Sequence, residues 1–235
     1  MAKWNISPVD SYSYEPLRIQ VYNVLREAIV NGEFMPDEKL TEMEIAEHLN
    51  VSRTPVREAF RMLEREELLT IIPQQGVFVS GIKSRKEIDD IFRVRMELEG
   101  LAAYLAAMNI NEEQRRRLRK YAEEIEQCIE ENDLKGCVRI DIAFHRIIKE
   151  ATGNKWLERF LDSLFVQATR FRMKSLSQEG RMVNALNEHR RLGEAITGGD
   201  AELARRYMEE HIQAAWKSIL IVFEEEHGTE AEKEV

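Results

Sequence analysis

Of the 235 residues only two are cysteine and five are proline. No apolar run approaches the roughly 18 residues that a membrane-spanning helix needs. Cys128 and Cys137 lack zinc-ligand spacing, and with no secretion signal they read as two free thiols rather than a bridge. The opening stretch, MAKWNISPVDSYSYEPL, holds no apolar segment ending in small residues, so it does not read as a signal peptide and a cytoplasmic protein is expected. Positive charge is outnumbered, with 34 Lys and Arg against 43 Asp and Glu. The formal net charge is −9, and residues 1–80 carry 8 Lys and Arg against 13 Asp and Glu. Bulk charge therefore gives no support for a nucleic-acid partner. Such a partner has to be argued from where the positive side chains sit.

The periodicity is informative. Residues 1–13 read as a flexible arm. From Leu17, apolar residues recur at three and four (Val21, Val24, Leu25, Ala28, Ile29), which predicts a helix that Asn31-Gly32 stops. A shorter helix fits TEMEIAEHL, capped by Thr41. Asn50-Val51 breaks it, and Ser52 restarts a helix through PVREAFRMLEREE, with Pro55 in the tolerated first turn. LLTII and GVFVS, separated by Pro73-Gln74-Gln75-Gly76, form a hairpin pattern. Residues 14–81 thus read as three helices and a two-stranded wing, a winged helix-turn-helix. Beyond Ser84 everything is helical: about six segments near 85–108, 112–131, 134–152, 155–175, 179–197 and 201–225 predict an all-α antiparallel bundle over 84–226. An acidic tail, 227–235, follows. The expected fold class is mainly α.

In a helix-turn-helix the second helix offers its first residues to base edges in the major groove. Here those residues are Ser52, Arg53, Thr54 and Arg57. The two arginines are four apart and share a face, and an arginine fork bonds both acceptors of a guanine edge. The Ser52 and Thr54 hydroxyls and the helix start suit phosphate. Gly76 at the wing tip permits a positive φ and close approach to DNA. The plainer alternative is that Arg53, Arg57, Arg61 and Arg65 form a solvated face partnered by Glu58 and Glu64. The connected helix, turn, helix and hairpin favour the DNA reading.

In the bundle, Asp141 and His145 are four apart on a face with Leu134, Val138 and Ile148. His189 lies on the stripe of Met182, Ala185, Leu186 and Ile196, and His211 on that of Ala204, Met208, Ala215 and Val222. Three imidazoles and a carboxylate are thus aimed inward. Such a set suits a borderline divalent ion such as zinc or nickel. A single inward histidine is usually an ordinary core residue; four polar groups weaken that reading. Arg95 lies on an inward stripe with Ile88, Ile91, Leu98 and Ala102.

The string LTEMEIAEHLNVSRTPVREAFRMLE, followed by IIPQQGVFV, resembles the winged-helix domain of the GntR family of bacterial transcription regulators over residues 17–80. The strings RVRMELEGLAAYLAA, DIAFHRIIKEATGN, EHRRLGEAITGGD and MEEHI resemble the effector domain of its FCD branch, the FadR/VanR-like group. The helix count suits the VanR-like subgroup. The resemblance implies a homodimer on a palindromic double-stranded DNA operator, contacted by Arg53, Thr54 and Arg57 with Gly76 in the wing. Met43 stands where some members carry a further DNA-contacting arginine. It also implies a metal held by Asp141, His145, His189 and His211, and a small carboxylate or sugar-acid effector. Arg95 then either clamps the effector carboxylate or makes a structural salt bridge.

Two other readings remain beside a regulator: a metal-dependent hydrolase, and a purely structural metal bundle fused to a DNA-binding module. No HExxH string or paired catalytic carboxylates favour the hydrolase.

Overall fold

A computed structural model describes residues 4, 6, 8–10, 13–30, 32–82, 84–131 and 133–227. The chain divides into two compact units, residues 1–81 and 82–235.

In the first unit, α1 (Leu17–Val30), α2 (Glu42–Leu49) and α3 (Arg53–Arg65) are joined by a small sheet of β1 (Lys39–Leu40), β2 (Leu69–Ile72) and β3 (Gly76–Val79). Thr41 caps α2 by accepting from the Glu44 amide, and Asn50 ends it in the left-handed conformation, φ 53°. That turn re-aims the chain so that Arg53 begins α3. Val21, Leu25 and Ile29 of α1, Ile45 and Leu49 of α2, and Val56, Phe60 and Leu63 of α3 make the core. With the inner face of α3 buried, its opposite face of Arg53, Thr54, Arg57 and Arg61 is exposed.

The wing has three strands rather than the expected two. The order is β1-β3-β2, with Lys39 opposite Phe78 and Ile72 opposite Gly76, all antiparallel. The loose arm is corrected at Trp4, which is 6% exposed, packs edge-on to Phe34 and donates from its indole nitrogen to Glu38. Much of the rest of that arm, Asn31, Asn132 and residues 228–235 of the acidic tail lie outside the described residues.

The second unit has six helices among its described residues: α4 (Arg85–Asn109), α5 (Glu112–Glu130), α6 (Leu134–Ala151), α7 (Lys155–Leu176), α8 (Arg181–Gly198) and α9 (Ala201–His227). Their starts are encoded locally. Ser84 accepts from the Glu87 amide, Asn111 and Gln114 form a reciprocal capping box, and Asp133 accepts from the Gly136 amide. One apolar core, from Phe92 and Ala103 of α4 through Phe144 and Ile147 of α6 to Met208 and Ile212 of α9, holds five of the helices with Leu118 of α5. No helix is long and apolar enough to cross a membrane. Both cysteines are free thiols, and burial pushes that of Cys137 up to about 11.

Candidate functional site

Within the bundle, α6 supplies Asp141 and His145, α8 supplies His189 and α9 supplies His211, and all four are buried. One ligand atom from each lies within 4.8 Å of the others. His145 Nε2 is 3.2 Å from His211 Nε2, and Asp141 Oδ1 is 3.4 Å from His189 Nε2. Ligand bonds of about 2.0–2.1 Å in a tetrahedron put neighbouring donors about 3.3 Å apart, so these separations fit a divalent ion. The His189 and His211 imidazoles are in the right protonation state to bind it. Burial, reinforced by the neighbouring imidazoles, holds His189 and His211 well below the usual histidine range. Burial works against ionising Asp141, but His145 and Arg172 outweigh it and hold its carboxyl below the usual range. Neither ring nitrogen of His189 has a hydrogen-bond partner, although both are buried. A buried orphan costs about 1–3 kcal/mol, and a metal bond removes that cost. The donor set fits the ion.

Two carboxylates stand behind the histidines. Glu188 Oε2 accepts from His211 Nδ1 at 2.7 Å, and Glu99 Oε2 lies 2.8 Å from His145 Nδ1. The Glu188 hydrogen bond fixes the tautomer of His211 and turns its Nε2 inward, whereas Glu99 Oε2 and His145 Nδ1 lie close without forming a hydrogen bond. Each carboxylate also binds an arginine: Arg95 Nε donates to Glu99 Oε1 at 2.7 Å, and Arg181 donates to both oxygens of Glu188 at 3.1 and 2.9 Å. Arg172 Nε is 2.7 Å from the outer oxygen of Asp141. Three arginines thus connect through one carboxylate each to the four-residue cluster.

Arg95, Arg172 and Arg181, with Asp141, His145 and His211, line a small cavity of about 20 Å³. Arg172 Nη2, Arg181 Nε and Ser175 Oγ, all from lining residues, are buried without a hydrogen-bond partner. Arg95 makes the salt bridge that was one of its two expected roles, and it also lines the cavity. Sequence reasoning missed Glu99, Arg172, Arg181 and Glu188.

In the first unit, Ser52, Arg53, Thr54 and Arg57 are all exposed at the start of α3. Ser52 makes no capping hydrogen bond with its side chain. Gly76 has φ +129°, and a Cβ there would lie 2.8 Å from Lys39 Cε, so the glycine lets a lysine cross the wing. Lys39 is a cation at the wing that sequence reasoning also missed.

A winged helix-turn-helix followed in one chain by a helical domain is the construction of a DNA-binding transcription regulator. Residues 17–79 match the family of bacterial regulatory proteins called gntR, and residues 90–214 match the FCD domain. The chain belongs to the GntR family, with an FCD domain as its C-terminal part. It is 30% identical over 214 residues to the HTH-type transcriptional regulator YdhC of Bacillus subtilis, covering 89% of this chain and 94% of YdhC. It is 28% identical over 205 residues to the HTH-type transcriptional repressor RspR of Escherichia coli, covering 87% and 90%. Among solved structures, Escherichia coli McbR/YncC superposes with a TM-score of 0.78 at 25% identity over 91% of this chain and all of that one. These relatives are transcription regulators, not enzymes, which sets the hydrolase reading aside.

Proposed function

We propose that the protein is a cytoplasmic homodimeric repressor that binds a palindromic operator and is controlled by a small carboxylate or sugar acid. Arg53 and Arg57 read guanine edges, Ser52 and Thr54 hold phosphates, and Gly76 lets the wing approach the duplex. The repressor sense follows the likeness to RspR, a transcriptional repressor. In the bundle, Asp141, His145, His189 and His211 hold a divalent ion, with zinc or nickel suited to such ligands. Bound there, the ion supplies a Lewis-acidic position for a carboxylate oxygen.

The observation that carries the effector reading is the set of buried, unpartnered donors on the cavity residues, Arg172 Nη2, Arg181 Nε and Ser175 Oγ. An acid's oxygens satisfy them, and Arg95 adds a further cation. The same three arginines hold Glu99, Asp141 and Glu188, so an acid that redirects them also shifts α4, α6, α7 and α8. In a dimer this changes the separation of the two recognition helices. Coupling of this kind is typically about 1–3 kcal/mol.

The test is metal analysis of the purified protein, then thermal-shift titration with a panel of small carboxylic and sugar acids, then operator release by any acid that binds. The expected result is about one ion per chain, lost in the His189→Ala, His211→Ala double variant, and one acid that both raises the melting temperature and weakens operator binding. Full metal content in the double variant overturns the metal assignment. An acid that binds without changing DNA affinity overturns the sensor reading.

A further inference from the structure

Glu42 is the first residue of α2 and holds both arginines that head α3. Arg53 donates from Nε and Nη2 to Glu42 Oε2 at 3.3 and 3.1 Å. Arg57 donates from Nε to Oε1 at 2.7 Å and from Nη2 to Oε2 at 2.8 Å. The arginine side chains are 64% and 54% exposed, while that of Glu42 is 21% exposed. Chiefly through its bonds to Arg57, the Glu42 carboxyl is held below its ordinary range. One carboxylate therefore takes the same edge, Nε with Nη2, from two guanidinium groups.

A guanidinium has another usable edge. Nη1 and the remaining hydrogen of Nη2 form a fork that spans two acceptors, and guanine O6 and N7 are such a pair. Binding on one edge does not consume the other. We infer that Glu42 is a specificity-determining positioning residue: it grips Arg53 and Arg57 by their inner edges, leaving the outer forks for bases. Its charge also offsets part of the pull that two free arginines would exert on any phosphate. The acidic balance of residues 1–80 works in the same direction, since weak general attraction to DNA makes the base contacts count for more.

A simple brace between α2 and α3 explains the geometry less well. Ion pairs this exposed stabilise little, and Ile45 and Leu49 of α2, with Val56 and Phe60 of α3, are already buried in the unit's core.

The inference rests on α3 being the recognition helix, and its test separates the two. Affinity is measured against the tightest duplex that the protein selects from random-sequence DNA, and against a scrambled duplex, at several salt concentrations. Glu42→Gln keeps the shape and removes the charge. It is expected to bind the scrambled duplex about tenfold more tightly, to steepen the slope of log affinity against log salt by about 1, and to lose most of its preference for the selected duplex. Glu47→Gln, on the same helix, is expected to change neither preference nor slope. If Glu42→Gln weakens binding to both duplexes equally with an unchanged slope, Glu42 is only a brace and the inference is wrong. It is equally wrong if Glu47→Gln reproduces the effect. If the Arg53→Ala, Arg57→Ala double variant keeps full affinity for the selected duplex, or no duplex is selected, the recognition-helix reading itself fails and takes the inference with it.

Discussion

Glu99 and Glu188 each face two ways, toward a histidine of the buried cluster and toward a cavity arginine. His211 gains a fixed tautomer from its bond to Glu188, but the cluster is also sealed where a positive charge is costly. An unfolded histidine takes up its proton near pH 6.5, whereas buried His189 and His211 resist protonation until well below that. Below about pH 6.5 the unfolded chain therefore binds more protons than the folded one, and stability falls as pH falls. In chelator-treated protein each of the two histidines should remove up to about 1.4 kcal/mol per pH unit between about pH 6 and 5. Asp141 and Glu99, with depressed values, add losses only in more acidic solution, below about pH 4.5. Melting curves of chelated wild type against the His189→Gln, His211→Gln variant check this: the variant's pH dependence should be flatter. A wild-type curve that is level across that range rules the argument out.

Helices were the most legible elements. Their apolar stripes and caps are local signals, and the six expected in the bundle fall within about two residues of those observed. That Asp141, His145, His189 and His211 converge was legible for the same reason, since each occupies an apolar slot of its own helix. β1 was not legible. Two residues cannot display an alternation, and Lys39 and Leu40 become a strand only by pairing with β3. The charged residues behind the cluster were missed because long charged side chains usually mark a solvated face. A signal existed in α7, where Leu161, Phe165, Ala168, Arg172 and Leu176 are spaced four, three, four and four apart, so Arg172 shares a stripe with four apolar residues. Arg95 and Glu99, four apart on one helix, gave another. Trp4 belongs to the same lesson, because an isolated aromatic in a polar arm carries no period. Its packing against Phe34 and His48 predicts that Trp4→Ala lowers the stability of the first unit by about 2–4 kcal/mol. Denaturant unfolding followed by a probe in that unit measures the loss, and a change below about 0.5 kcal/mol would mean that the arm is not bound.

Two units with separate cores imply two unfolding events in the whole chain. Only one of them contains the Asp141–His211 cluster. Calorimetry of metal-loaded protein should therefore resolve two transitions, and a chelator should lower the bundle's transition while leaving that of the winged helix in place. A single transition that moves as one would show that the units unfold together. Arg95, Arg172 and Arg181 face Glu99, Asp141 and Glu188, three against three, so the charges of these six side chains cancel. A divalent ion leaves two positive charges unmatched in a poorly hydrated interior, where imbalance is expensive. The loaded site then lacks a counterion of charge −2, so a dianionic acid is a better stoichiometric match than a monoanion. Loading with the ion would in that case decide which acids the bundle accepts.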